Sequence, residues 1–389
     1  MMKKPEAPYD FDTPVDRRSS SSLKWDRYRG RDVIPLWVAD MDFRSPPAVI
    51  SALKEHVEHG VFGYTLPPRE LLEAVTGMLE EDHGWKVDPQ WIVWLPGLVT
   101  GLNVACRSVG NPGDGVLTTI PAYPPFLSAP IFSDRTLSTV GHVLDRGRYT
   151  FDFAGIEREM GGRTKMFILC NPHNPTGRVF SREELLTLAE ICLSRGVTIC
   201  SDEIHCGLVL DEDARHLTLA SLDSGIAQRT ITLLAPSKTF NLPGLGCSLA
   251  VIPDPGLRRG FTRVMNGIVP HVNAFGYTAA LAAYRDSKDW HRALLGYLRG
   301  NRDMVEEVVS RVPGISMTHV EATYLAWIDC RELGLANPAA FFEESGVGLS
   351  SGADFGAPGF VRLNFGCSRS VLAQALERLE NAVRRCLTS

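Results

Sequence analysis

From about residue 91 to 252 the chain alternates short apolar runs with amphipathic segments. "WIVWLPG" (91–97), "GVLTTIPAY" (115–123), "TKMFILCNP" (164–172), "GVTICSDE" (196–203), "TITLLAPS" (230–237) and "CSLAVIP" (247–253) read as strands. Most of them are apolar at successive positions, the pattern of a parallel sheet covered by helices on both faces. Between two of them, "SREELLTLAEICLSRG" (181–196) spaces Ser181 and Glu184 as a capping box, repeats its apolar positions at helical period and stops at Gly196. These signals predict a doubly wound α/β domain.

The last third changes character. Residues 270–311 are helix-rich, and "TYLAWIDC" (323–330) and "FVRLNFGC" (360–367) read as strands before a final helix through "VLAQALERLENAVRRCL". The expectation is an α+β unit of about a hundred residues. The boundaries are set at 1–45 for an N-terminal arm with part of the small domain, 46–280 for the large domain and 281–389 for the small one.

Composition narrows the class. With 44% hydrophobic and 22% charged residues the chain reads as globular, and a net charge of -5 without a basic stripe argues against nucleic acid as a partner. No stretch approaches the roughly 20 apolar residues of a membrane span. The N-terminal "MMKKPEAPYDFDTPVDRR" has no apolar run behind its lysines, so no signal peptide is expected there. Nine scattered cysteines without a CxxC pair suit a reducing compartment, and a cytoplasmic location is expected.

In an open parallel sheet, ligands bind beyond the carboxyl ends of the strands. The residues there form an unusual set: Gly97, Tyr123, "NPHNPTG" (171–177), "SDEIH" (201–205) and Ser237–Lys238. Lys238 follows the apolar run Ile231–Ala235 and stands between Pro236 and Pro243, an odd place for an ammonium group unless it is a snorkelling surface lysine. Asp202 follows another apolar run, where a carboxylate needs a cation or strong donors to stay ionised; a capping or ion-pairing role is the alternative. Asn174, between Pro172 and Pro175, reads either as a rigid donor offered to a ligand or as part of an ordinary turn. "GLVTG" (97–101) joins a strand to a helix whose first N–H groups suit a phosphate. Neither GxxxxGK[ST], GxGxxG nor a metal-binding cluster occurs.

"NPHNPTG", "SDEIH" and "APSKTFNLPGL" (235–245), in this order and roughly thirty residues apart, resemble the fold-type I pyridoxal-phosphate enzymes of the aminotransferase class I/II superfamily. "IPLWVADMDFRSPPAVISAL" (34–53), "GVFGYTLPPRELLEAVTGMLEEDHGW" (60–85) and "RLNFGCSRSVLAQALERL" (362–379) extend the resemblance over nearly the whole chain. They are similar to the cystathionine β-lyase-like carbon–sulfur lyases of the MalY/PatB type. The resemblance implies a large mostly parallel sheet domain with a smaller α+β domain, and pyridoxal 5'-phosphate as cofactor. It makes Lys238 the Schiff-base lysine, Asp202 the partner of the pyridine nitrogen, and Asn174 and His205 donors to the phenolic oxygen; a structural role is the alternative for His205. Tyr123 would stack on the ring, and Leu98, Val99 and Ser237 would hold the phosphate. Tyr64 would reach that phosphate from the second subunit of a homodimer, and Arg362 would grip the substrate α-carboxylate. One departure is Gly246, eight residues after the lysine, where many aminotransferases carry a phosphate-binding arginine. The implied activity is β-elimination from cystathionine, cysteine or an S-conjugate to thiol, pyruvate and ammonia. A transaminase, or a regulatory protein with residual lyase activity, shares the same residues.

Overall fold

The structure, a computed structural model, describes residues 9–388. Residues 1–8, which open the segment read as lacking a signal peptide, lie outside the described residues. Its centre is a seven-stranded sheet of β1 (Ile92–Leu95), β2 (Gly115–Ile120), β3 (Thr136–Gly141), β4 (Thr164–Cys170), β5 (Thr198–Asp202), β6 (Thr230–Leu234) and β7 (Ser248–Val251), in the order β1-β7-β6-β5-β4-β2-β3. All neighbours are parallel except that β7 runs against both β1 and β6. The apolar runs mark six of these strands. Edge strand β3, "TLSTVG", is not among the apolar runs because a strand exposed or half-exposed at five of six positions alternates weakly and is rich in polar residues.

Strand β4 shows why these runs are apolar throughout. Met166, Ile168 and Cys170 pack with Leu102, Val116, Ile231 and Leu233 on one face, while Phe167 and Leu169 pack with Leu185, Leu188 and Ile199 on the other. A side-chain period of two sends alternate residues to two cores, so every position must be apolar. The predicted capping box is present: Ser181 Oγ accepts from Glu184 N at 3.2 Å and Glu184 Oε2 accepts from Ser181 N at 2.8 Å, opening the helix Arg182–Ser194.

Register then levels the strand ends. Cys170 lies beside Asp202, and Asp202 beside Leu233, so the loops after β4, β5 and β6 leave the sheet at one edge. A four-stranded antiparallel sheet, ordered Ser316–Met317, Leu325–Asp329, Phe360–Asn364 and Ser350–Ser351, closes over that edge. The N-terminal Ile34–Pro35 pairs with Val347–Gly348, which ties the start of the chain to this second sheet. Among the described residues no helix is long and apolar enough to cross a membrane, and no disulfide joins the cysteines.

Candidate active site

The loops at that edge surround a cavity of about 520 Å³. Its lining includes Lys238, Asp202, Asn174, His205, Tyr123, Leu98, Val99, Ser237 and Arg362, nine of the ten residues singled out from the sequence. Tyr64 is the tenth. It stands fully exposed on the segment 60–68, away from the cavity of its own chain.

Asp202 ends β5 and is 4% exposed. Its Oδ1 accepts one backbone hydrogen bond, from Ile204 N at 3.1 Å, and among the described residues no cation forms an ion pair with it. Burial therefore dominates and pushes the carboxyl up to about 7, against the pull of that N–H and of the Lys238 charge. Neighbouring Glu203 faces the other way and is fully satisfied, accepting from Ser201 Oγ (2.8 Å), Leu219 N (3.1 Å) and His216 Nε2 (2.8 Å). One carboxylate is thus locked into the scaffold and the next is left short of a partner.

Lys238 sits in the turn after β6. Desolvation lowers its amine to about 8, and the positive charge of Arg362 adds to this while Asp40 and Asp202 oppose it. Its Nζ donates to the carbonyl of Ala39 at 2.6 Å. That carbonyl is presented by an N-terminal strap which Asn241 fastens to the lysine loop: Asn241 Oδ1 accepts from Met41 N (3.0 Å), and its Nδ2 donates to the carbonyls of Met41 (2.9 Å) and Phe43 (2.8 Å). Asn241 holds a φ of +57°, a conformation asparagine tolerates better than most residues.

Arg362 lies on the strand Phe360–Asn364 of the small sheet, 4% exposed. Its guanidinium donates to Asn174 Oδ1 (3.0 Å) and the Trp37 carbonyl (2.9 Å) and rests 4.7 Å from the centre of the Phe355 ring. Among the described residues no carboxylate pairs with it, its Nε is buried without a partner, and burial lowers it to about 10. Since arginine can only donate, its bond fixes the Asn174 amide with oxygen toward Arg362 and leaves the NH₂ group free to donate elsewhere. The loop carrying Asn174 is held by His173 N to the Arg178 carbonyl (2.8 Å) and by Asn171 Nδ2 to the Leu217 carbonyl (3.2 Å), so the prolines are only part of its rigidity.

His205 is 1% exposed, and burial drives its imidazole down to about 3, so it is neutral at ordinary pH; its Nδ1 has no partner. Tyr123 caps the helix Pro124–Ile131, with burial raising its phenol. Leu98 and Val99 open the helix Leu98–Ser108 behind Gly97; their N–H groups precede the first intrahelical bond, Gly101 N to the Gly97 carbonyl at 3.2 Å. Gly246 borders the cavity with a φ of +60°, and a β-carbon there would stand 3.1 Å from the Pro96 carbonyl. Backbone strain and that contact account for glycine at the position where many aminotransferases carry an arginine.

Several lining groups carried no sequence signal of their own. The strap residues Trp37, Val38 and Ala39 act through backbone carbonyls, and Ser350, Asp354 and Phe355 come from the segment before the Arg362 strand. The quoted likeness of "IPLWVADMDF" covers the strap but did not place it against Lys238.

A half-buried amine with a lowered pKa, an under-partnered carboxylate, an arginine without a carboxylate partner among the described residues and a helix N-terminus around one cavity suit an amino-acid-transforming enzyme of the α/β class. The chain belongs to the family of aminotransferases class I and II, whose model matches residues 31–379. It is 39% identical over 387 residues to cystathionine beta-lyase PatB of Bacillus subtilis (strain 168), covering 96% of this chain and 100% of that one. Among solved structures it superposes on OvoB with a TM-score of 0.95 at 47% identity, covering 96% and 99% of the two chains. Cystalysin from Treponema denticola, whose crystal structure contains a pyridoxal 5'-phosphate cofactor, matches with a TM-score of 0.93 at 33% identity over 97% and 99%.

Proposed function

We propose that this protein is a pyridoxal-phosphate-dependent carbon–sulfur β-lyase, converting cystathionine, cysteine or an S-substituted cysteine, with water, to a thiol, pyruvate and ammonia. The observation that carries the reading is Asp202: a buried carboxylate raised to about 7 that lacks a cation, on the same cavity as an amine lowered to about 8. A protonated pyridine ring is the missing cation, and Lys238 is an amine able to join an aldehyde. The cofactor therefore fits the donors present. When bound it supplies an aldehyde for amine attachment and a ring that takes up the electron pair left by a departing α-proton.

The chain's own groups have separable tasks. Asp202 holds the proton on the ring nitrogen, and the Asn174 NH₂ and neutral His205 donate to the phenolic oxygen. Tyr123 covers a ring face. The N–H groups of Leu98 and Val99 and the Ser237 hydroxyl take the phosphate, with the helix dipole contributing roughly 0.3–1 kcal/mol. Arg362 keeps its bond to Asn174 and exchanges the Trp37 carbonyl for the substrate α-carboxylate, which its Nε and the rest of its planar fork can grip. Lys238, its amine lowered to about 8, takes the α-proton.

We infer further that the protein works as a homodimer in the cytoplasm. Val61, Phe62, Tyr64 and Leu66 are all more than half exposed on one segment, an apolar surface that calls for cover, and Tyr64 of the partner subunit would complete the phosphate site. Supplying cystathionine without any keto-acid acceptor tests the chemistry: pyruvate should form. Glutamate made from 2-oxoglutarate, with no pyruvate, would mean a transaminase.

A further inference from the structure

A second cavity, of about 530 Å³, shares Ala235 with the first and takes in Cys206 and Thr239, the next residues after His205 and Lys238. The proposed reaction uses none of its other walls. These are mainly apolar: Met78, Val209, Leu234, Phe240, Tyr284 and Leu295.

Three imidazoles line it; His291 is taken by the Gly207 carbonyl, and the other two leave a ring nitrogen unpartnered. His216 is 6% exposed; its Nε2 lies 2.8 Å from Glu203 Oε2, and its Nδ1 is buried without a partner. His83 packs edge-on to that ring at 5.1 Å and also has an unpartnered Nδ1; burial lowers it to about 4. Buried nitrogens left without hydrogen bonds are costly, and a ligand that reaches them removes the cost.

The mouth carries charges of both signs. Lys288 is taken by Glu81 at 2.6 Å, and Arg292 by Asp289. Arg215 and Asp82, both exposed, form no ion pair among the described residues, although the Asp82 charge acts on Lys288 and His291. A cation and a carboxylate without ion-pair partners among the described residues, at the opening of an apolar cavity, match one kind of small molecule.

We propose that this second cavity binds a free α-amino acid with an apolar side chain, the side chain among Met78, Phe240 and Tyr284, the α-carboxylate at Arg215 and the α-ammonium at Asp82. Size agrees, since cavities that enclose small ligands span roughly 300–1,000 Å³. The site stands next to the catalytic loops yet apart from Arg362, so its occupant need not be a substrate.

The test is calorimetric titration of the holoenzyme with L-phenylalanine and L-methionine, repeated on three variants. Arg362→Ala should leave this binding intact, because that arginine belongs to the first cavity. Arg215→Ala should weaken it about tenfold, the loss of one charge-assisted contact, and Leu295→Trp should block it by filling the cavity. Phenylacetate, which lacks the ammonium, should bind at least about tenfold more weakly than phenylalanine. Binding that disappears with Arg362→Ala, that survives both Arg215→Ala and Leu295→Trp, or that is matched by phenylacetate overturns the proposal. Pyruvate formation by Arg215→Ala should equal that of the unaltered protein, and it reports on the lyase reading independently.

Discussion

The amine of Lys238 lies 2.6 Å from the carbonyl oxygen of Ala39, and the hydroxyl of Tyr324 donates to the same carbonyl at 2.9 Å. An N-terminal strap and Tyr324, the residue before the strand Leu325–Asp329, thus meet at Lys238. Trp37, two residues earlier, accepts from Arg362 in the same way. The two groups proposed to bind and deprotonate the substrate are both parked on backbone carbonyls of one strap, where they are oriented without being neutralised.

Lys238→Ala removes the only side-chain amine among the described residues that line the cavity. Pyruvate formation from cystathionine should fall by at least about a thousandfold, since both covalent attachment and proton transfer are lost. Added methylamine should restore a small part of the rate, which a merely misfolded variant would not show.

Asp202→Asn separates the fold from the chemistry. Burial raises the Asp202 carboxyl above its ordinary value of 3.8 to about 7, so the cofactor-free native state holds this proton more tightly than the unfolded chain. Stability then declines as pH climbs from about 4 to about 7 and changes no further above that. The asparagine variant lacks this decline. Thermal melts of the cofactor-free proteins should show the variant gaining on the parent across that range, while its lyase activity drops at every pH.

Arg362→Lys keeps the charge but loses the planar fork and its contact with the Phe355 ring. The value of kcat/KM should fall roughly tenfold to a hundredfold, the equivalent of about 1.5–3 kcal/mol for a charged hydrogen bond, mostly through KM. Initial-rate measurements over a range of cystathionine concentrations decide it.

Lys24 is completely buried and lies 2.8 Å from Asp42 Oδ2. Burial alone would raise the Asp42 carboxyl, but Lys24, Trp25 and Arg17 together hold it below its usual range. Lys24→Met leaves Asp42 with Arg17 and the Trp25 indole, and should cost about 3 kcal/mol at pH 7, seen as an earlier midpoint in urea. Because the native carboxyl is the stronger acid, its contribution exists above the unfolded pKa and is lost as pH falls through the native one. The gap between variant and parent should therefore narrow below about pH 4.

What the sequence disclosed follows from what local patterns record. Strands β4, β5 and β6 were legible because two-sided burial leaves uninterrupted apolar runs, and Asp202 and Lys238 were legible because each breaks such a run at its end. Edge strand β3, with no such burial, left no comparable trace. The strap acts through main-chain carbonyls, which any side chain could provide, so Ala39 and Trp37 could not have been assigned. Lys24 and its carboxylates, 16 and 18 residues away, meet only through tertiary folding. The histidine pair His83 and His216 is likewise assembled from distant segments.

Tyr64 offers the sharpest test of the proposed assembly, because it is wholly exposed in the single chain and lines no part of its cavity. If the phosphate site is completed across a dimer, each cavity combines Lys238 of one chain with Tyr64 of the other. Tyr64→Ala should then bind cofactor weakly, since Gly246 contributes no side chain to that end and the remaining contacts are backbone N–H groups and hydroxyls. Mixing weakly active Tyr64→Ala with inactive Lys238→Ala, under conditions that exchange subunits, forms hybrids in which one site carries both substitutions and the other carries neither. Pyruvate formation by the mixture should exceed the sum of the two parents assayed apart. Strict additivity, with sedimentation showing that exchange took place, would place Tyr64 outside the partner's site and leave the exposed segment 61–66 with a different role.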